Sequence, residues 1–134
     1  MLTQSLAGVP AFLSYFAAAI GLLAAFLLLY LWITPYREIS LIREGNAAAA
    51  ASLSGAMIGF VLPLASVITH SASLPDMAIW GLIALLVQLL AYLAARWLLP
   101  NLARDIPAGQ IASGIFLAAL SLATGLLNAA CMTY

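Results

Sequence analysis

An all-α membrane protein with four transmembrane helices, paired as two parallel-repeat helical hairpins with both termini outside, is the fold class this chain predicts. Three observations predict it. Hydrophobic residues make up 66% of the chain and charged residues only 6%. Four apolar runs are each long enough to cross a bilayer, and every positive side chain falls on one side of them. A soluble domain carries about 25% charged residues because water must wet its surface. Four Arg, no Lys, four acids and one His cannot do that here, so the lipid bilayer is the expected solvent. Zero net charge and the lack of a basic run exclude nucleic acid as a partner.

The runs are Ala11 to Ile33, Ala47 to Thr69, Met77 to Leu99 and Ile111 to Met132. Each exceeds the ~20 residues a helix needs to cross a hydrocarbon core of about 30 Å. None holds an acid, and Arg96, near the end of the third, is their only Arg. A spanning chain must satisfy its backbone internally, and the alternation of a barrel strand is missing, so the runs are helices. The first run is expected to remain in the mature chain, being too long for a signal peptide and lacking a preceding positive residue.

Arginine sets the orientation. Arg37 and Arg43 lie between the first two spans, and Arg96 and Arg104 flank the turn between the last two. The N-terminus, the loop Ser71 to Asp76 and the C-terminus carry no Lys or Arg. Positive charge stays in the cytosol, so both termini are expected on the outside of a bacterial inner membrane. Tyr30, Trp32, Tyr36 and Trp97 then mark the inner boundary, and Phe12, Tyr15, Trp80 and Tyr134 the outer one.

The whole chain, 1–134, is expected to form one membrane domain, with 11–70 as a first repeat and 77–134 as a second. "WITP" and "WLLP" place Trp32 and Pro35 opposite Trp97 and Pro100. About ten residues later each half offers a glycine followed by a carboxamide, Gly45-Asn46 and Gly109-Gln110. Two helices per repeat make both halves run the same way through the membrane. The first inner loop, "PYREISLIREGN", alternates Ile39, Leu41 and Ile42 with Arg37, Glu38, Arg43 and Glu44, the pattern of a short amphipathic segment on the interface. Glu38 reads there as a solvated carboxylate. In the outer loop, Asp76 is expected to cap the third span.

Small and polar residues recur at helical spacing on three spans. The second carries Ser52, Gly55, Gly59, Pro63, Ser66 and His70; the third Gly81, Ala84, Gln88, Ala91 and Ala95. The fourth carries Gly114, Ala118, Ser121, Gly125 and Asn128, with Thr124 and Cys131 on an adjoining line. In lipid, helices associate through close contacts of small residues and interhelical hydrogen bonds, so these stripes read first as packing seams. Gly55, Gly59, Gly81, Gly114 and Gly125 are the expected contact points. Gln88, Asn128, Ser66, His70, Thr124 and Cys131 are either an interhelical clasp or the polar lining of a small cavity open to the outside. Asn128 is expected to bond across to the second span or to another protomer, with Cys131 tucked beside it.

Catalysis finds little support. Ser66 and His70 share a helix face, but no intramembrane acid orients the imidazole and no nucleophile-elbow pattern is present. One cysteine and one histidine offer no metal-ligand spacing, so no cofactor or metal is expected.

The stretch from Ile33 to Ile68, "SLPDMAIWG", "LLVQLL" and the closing "NAACMTY" resemble the YjfL family of bacterial inner-membrane proteins, a domain-of-unknown-function family. The resemblance implies a four-pass protein built from two tandem two-helix units. It implies no established reaction and assigns no catalytic residue. Members often lie beside genes for glutathionylspermidine-synthase-like and envelope proteins, which implies cytosolic or envelope partners by association. Two functions are expected from the residues: a homo-oligomeric channel or transport component for small ions or polyamines, or a scaffold presenting Arg37, Glu38, Arg43, Glu44, Asn46 and Arg104 to soluble partners.

Overall fold

Seven helices follow one another along the described residues, 1–132, of this computed structural model: α1 (Leu2–Ala7), α2 (Val9–Ile33), α3 (Glu38–Arg43), α4 (Ala47–His70), α5 (Leu74–Leu98), α6 (Leu102–Asp105) and α7 (Ile111–Cys131). None of the described residues lies in a strand. Four helical stretches, Leu2–Ile33, Ala47–His70, Leu74–Leu98 and Ile111–Cys131, are long and apolar enough to cross a membrane. The chain is an all-α membrane protein. Tyr134, expected at the outer boundary, lies outside the described residues.

The first span starts well before Ala11. Gly8 keeps helical dihedrals between α1 and α2, and Pro10 sits in the first turn of α2, where its missing N–H costs nothing. The combined stretch is about 48 Å long at 1.5 Å per residue, well beyond the hydrocarbon thickness. The third span also begins earlier, at Leu74. Ser73, rather than Asp76, is its N-cap: Asp76 N–H donates to Ser73 Oγ at 3.3 Å. Asp76 instead accepts from Ala72 N–H at 3.0 Å, a reciprocal arrangement akin to a capping box.

The most extensive contact joins α4 and α7. Its cause is the absence of side chains. Gly55 meets the backbone of Ala118, Gly59 meets Ser121, Gly114 meets Ala48, and Gly125 is pressed against Gly59 itself. Pro63 has no N–H to offer the Gly59 carbonyl one turn back. The Gly125 Cα hydrogen that a side chain would replace points at that oxygen, a weak donor where the strong one is missing. Gly81 of α5 faces Leu22 of α2. The five glycines therefore serve contacts within one chain.

Aromatic rings tie α2, α4 and α5 together. Phe26 stacks on Phe60 with centroids 4.7 Å apart, and Tyr30 meets Tyr92 edge-on at 5.2 Å. Trp32 and Trp97 are each 81% exposed. Tyr30 and Tyr36 are not anchors; both are buried in the core.

The connections before α4 and α7 close in the same way. Gly45 and Gly109 take positive φ, 85° and 80°, which glycine adopts without a Cβ clash. Asn46 N–H donates to Leu41 O at 2.9 Å and Gln110 N–H to Asp105 O at 3.0 Å. Asn46 does more than Gln110. Its Oδ1 accepts from Ala49 N–H at 3.0 Å, capping α4, while its Nδ2 donates to Ile106 O at 2.9 Å and Pro107 O at 3.3 Å. The Gln110 side chain makes no cap bond. Asn46→Ala should lower stability by about 2 kcal/mol, since a cap is worth ~1 kcal/mol and the bridge to the other connection adds a similar amount. Asn46→Asp, which keeps the cap and loses the donors, should fall between, as read from thermal midpoints in detergent.

Candidate functional site

The six expected polar residues do not converge on one point. Gln88 is 2% exposed and reaches across from α5, its Nε2 donating to Ser121 O of α7 at 3.1 Å. Its Oε1 is buried with no partner. Ser66 Oγ donates to Ala129 O at 3.1 Å, joining α4 to α7 nearer the opposite end of the seam. His70 is exposed, its Nδ1 2.8 Å from Ser66 O and 3.1 Å from Thr69 Oγ1, so the ring is held by its own helix. Thr124 is half-buried. Asn128 Nδ2 is shielded inside the chain without a partner, so it makes no bond across to α4. Cys131 is exposed rather than tucked beside it, because the last turn of α7 turns that position outward.

A second constellation sits at the arginine-bearing end, and the sequence reading missed it. The amphipathic segment forms α3, which folds back against the bundle with Glu38 inside. Glu38 is 1% exposed, not solvated. Tyr30 comes from the last turn of α2, Tyr36 from the connection to α3, and Tyr92 from α5. All three are buried, and all lie within electrostatic reach of the Glu38 carboxyl. Neither Glu38 oxygen has a hydrogen-bond partner of good geometry, nor does any of the three phenol oxygens. Tyr36 and Tyr92 approach each other without forming a well-directed bond. The Thr34 hydroxyl, close to Glu38, donates instead to Leu31 O at 3.1 Å.

Burial is the dominant electrostatic effect. Arg37, Arg43, Arg96 and Arg104 are all exposed, as is Glu44. Loss of water therefore pushes the Glu38 carboxyl up to about 8, with the Thr34 hydroxyl offsetting only part of the rise. Burial likewise pushes the Tyr36 phenol up. A cavity of about 360 Å³ adjoins Glu38, lined by Leu31, Thr34, Tyr36, Arg37, Glu38 and Ser40 among others. The available signal was local density. Tyr30, Tyr36 and Glu38 fall within nine residues around a Pro turn, and that crowding argued for an inward-facing acid.

The chain matches the family model described as "Domain of Unknown Function (DUF350)" over residues 3–132. It is 40% identical over 124 residues to the UPF0719 inner membrane protein YjfL of Escherichia coli (strain K12), covering 92% of this chain and 94% of that protein. It is 27% identical over 92 residues to the UPF0719 transmembrane protein YshE of Bacillus subtilis (strain 168), 69% of each chain. No solved structure matches it. Four apolar spans and a family match along almost the full length lead to one conclusion: this chain belongs to the DUF350 family of integral membrane proteins.

Proposed function

We propose that this protein is a non-enzymatic, homo-oligomeric transport component of the bacterial inner membrane for small ions or polyamines, with Glu38 at its cytosolic entrance. The observation that carries the reading is the carboxyl of Glu38, buried at the end of a helix bundle beside a cavity. An ionisable group enclosed without a partner costs several kcal/mol, and in membrane proteins such groups mark ion pathways. The four exposed arginines at that end support a cytosolic placement and outward termini. Matching glycine turns at Gly45 and Gly109 support descent from a duplicated hairpin. The glycine seam between α4 and α7 closes the middle of one copy, so a continuous path would run between copies. Flux into liposomes measures this directly. Wild-type protein should conduct a small cation, and Glu38→Gln should reduce that flux at least about tenfold at unchanged oligomer size. Equal flux from both proteins sinks the assignment.

A scaffold is the second reading. It is favoured by the cleft of about 370 Å³ between the two inner connections, where Glu44, Gly45 and Asn46 face Pro107 and Gly109. Under it, charge reversal at Arg43 and Arg104 releases soluble proteins that co-purify with the wild type, while Glu38→Gln retains them.

A further inference from the structure

The geometry points to the Glu38–tyrosine cluster as a binding site for a single protonated nitrogen, an ammonium ion or the end group of a primary amine. This rests on the reading of Glu38 as an ion-handling group and names what the group takes. Four side chains, from α2, the connection after it, α3 and α5, leave five buried oxygens without a hydrogen bond of good geometry: two on Glu38 and one each on Tyr30, Tyr36 and Tyr92. Unmet hydrogen-bonding capacity on that scale is rare in a folded core. An ionised carboxylate accepts only, and each phenol oxygen can accept as well as donate, so all five oxygens can take a hydrogen bond from an occupant.

The charge and the walls narrow the occupant. Glu38 is the only carboxylate in the cluster, and no group of three His, Cys, Asp or Glu side chains gathers among the described residues. One carboxylate matches at most one positive charge, and the exposed Arg96 guanidinium, within electrostatic reach of Tyr36 and Tyr92, further disfavours a doubly charged occupant. A divalent ion would demand six or more oxygens, with several formal charges among them. The side chains within electrostatic reach of the carboxyl are aromatic, and they pack on one another: Tyr30 and Tyr92 meet edge-on at 5.2 Å, and Phe26 lies against Tyr30 at 5.7 Å. Aromatic faces attract a cation through the ring quadrupole, most strongly where water is excluded. An N–H-bearing cation also donates three or four hydrogen bonds, which a bare alkali ion cannot, and these are what the orphaned oxygens lack. The cavity beside Thr34 and Ser40 is lined in part by Glu38 and Tyr36 and has room for an amine's carbon chain, while the carboxyl oxygens themselves lie buried behind it.

The test is calorimetric titration of purified wild-type protein in detergent at pH 9, where Glu38 is ionised, at constant ionic strength. The probes are methylammonium, potassium, magnesium and tetramethylammonium chlorides. Saturable methylammonium binding is expected, at least about tenfold tighter than tetramethylammonium, which has the charge without the donors. Glu38→Gln should lose at least about tenfold in affinity, and it is not expected to unfold, because it removes the buried charge. Tyr92→Phe, which keeps the ring and loses the oxygen, should weaken binding severalfold. No methylammonium binding, equal binding of tetramethylammonium, a preference for potassium or magnesium, or undiminished binding by Glu38→Gln each overturns the site. Methylammonium binding without flux in liposomes upholds it and removes the transport reading. Glu38-dependent potassium flux without methylammonium binding does the reverse.

Discussion

Gly125→Leu should leave almost no folded protein. A Cβ at this position would land on the Gly59 carbonyl, and backbone cannot step aside as a flexible side chain can. Accommodating leucine means separating α4 from α7 along the seam, which also pulls Gly55 away from Ala118 and Gly114 away from Ala48. Overpacking a tight core typically costs 1–3 kcal/mol and can exceed that. Here about 3 kcal/mol is a lower figure, because the Ser66–Ala129 bond spans the same two helices and would stretch as they part. Size-exclusion profiles in detergent should change from one sharp peak to aggregate. Gly21→Leu is the control: nothing lies within 4 Å of a Cβ there, so that variant should behave as wild type. A monodisperse Gly125→Leu protein with an unchanged thermal midpoint would mean the seam is not what holds the bundle.

The second large effect is a loss of stability with rising pH. Glu38 titrates at 4.5 in its ordinary state and at about 8 in the folded chain. Between those values the folded protein keeps a proton that the unfolded chain has released, so alkali favours unfolding. Stability is greatest below about 4.5 as far as this group is concerned, declines through the interval, and levels off above about 8. The whole span corresponds to about 5 kcal/mol at most. Thermal midpoints in detergent from pH 5 to pH 9 should trace the decline. Glu38→Gln should flatten it, matching wild type near pH 5 and exceeding it at pH 9. A wild-type profile with no slope across that range would remove the buried acid from the account.

The spans were legible because lipid imposes a crude requirement, length plus apolarity, that any reader of the chain can apply. The glycines at 55, 59, 81, 114 and 125 were legible for a related reason: in hydrocarbon, close approach is what helices have to gain. Glu38 was not legible. Its neighbours Arg37, Arg43 and Glu44 are exposed and set the expectation for the segment, while its own direction depends on how α3 folds back, a tertiary fact. Tyr30 and Tyr36 misled similarly. Tyrosine suits a membrane boundary and a buried aromatic cluster equally, and only the placement of α5, with Tyr92, decides between them. Cys131 and Asn128 sit one turn apart in the chain, yet a modest rotation of α7 separates a shielded amide from an exposed thiol.

The glycine seam has a consequence for biogenesis. Its two helices are the second and the fourth spans, so during synthesis α4 enters the bilayer long before its true neighbour exists. Until α7 leaves the insertion machinery, Gly55 and Gly59 have only lipid or α5 to face. A ribosome stalled before Ile111 would therefore release an unlocked three-helix species, a natural substrate for membrane quality control.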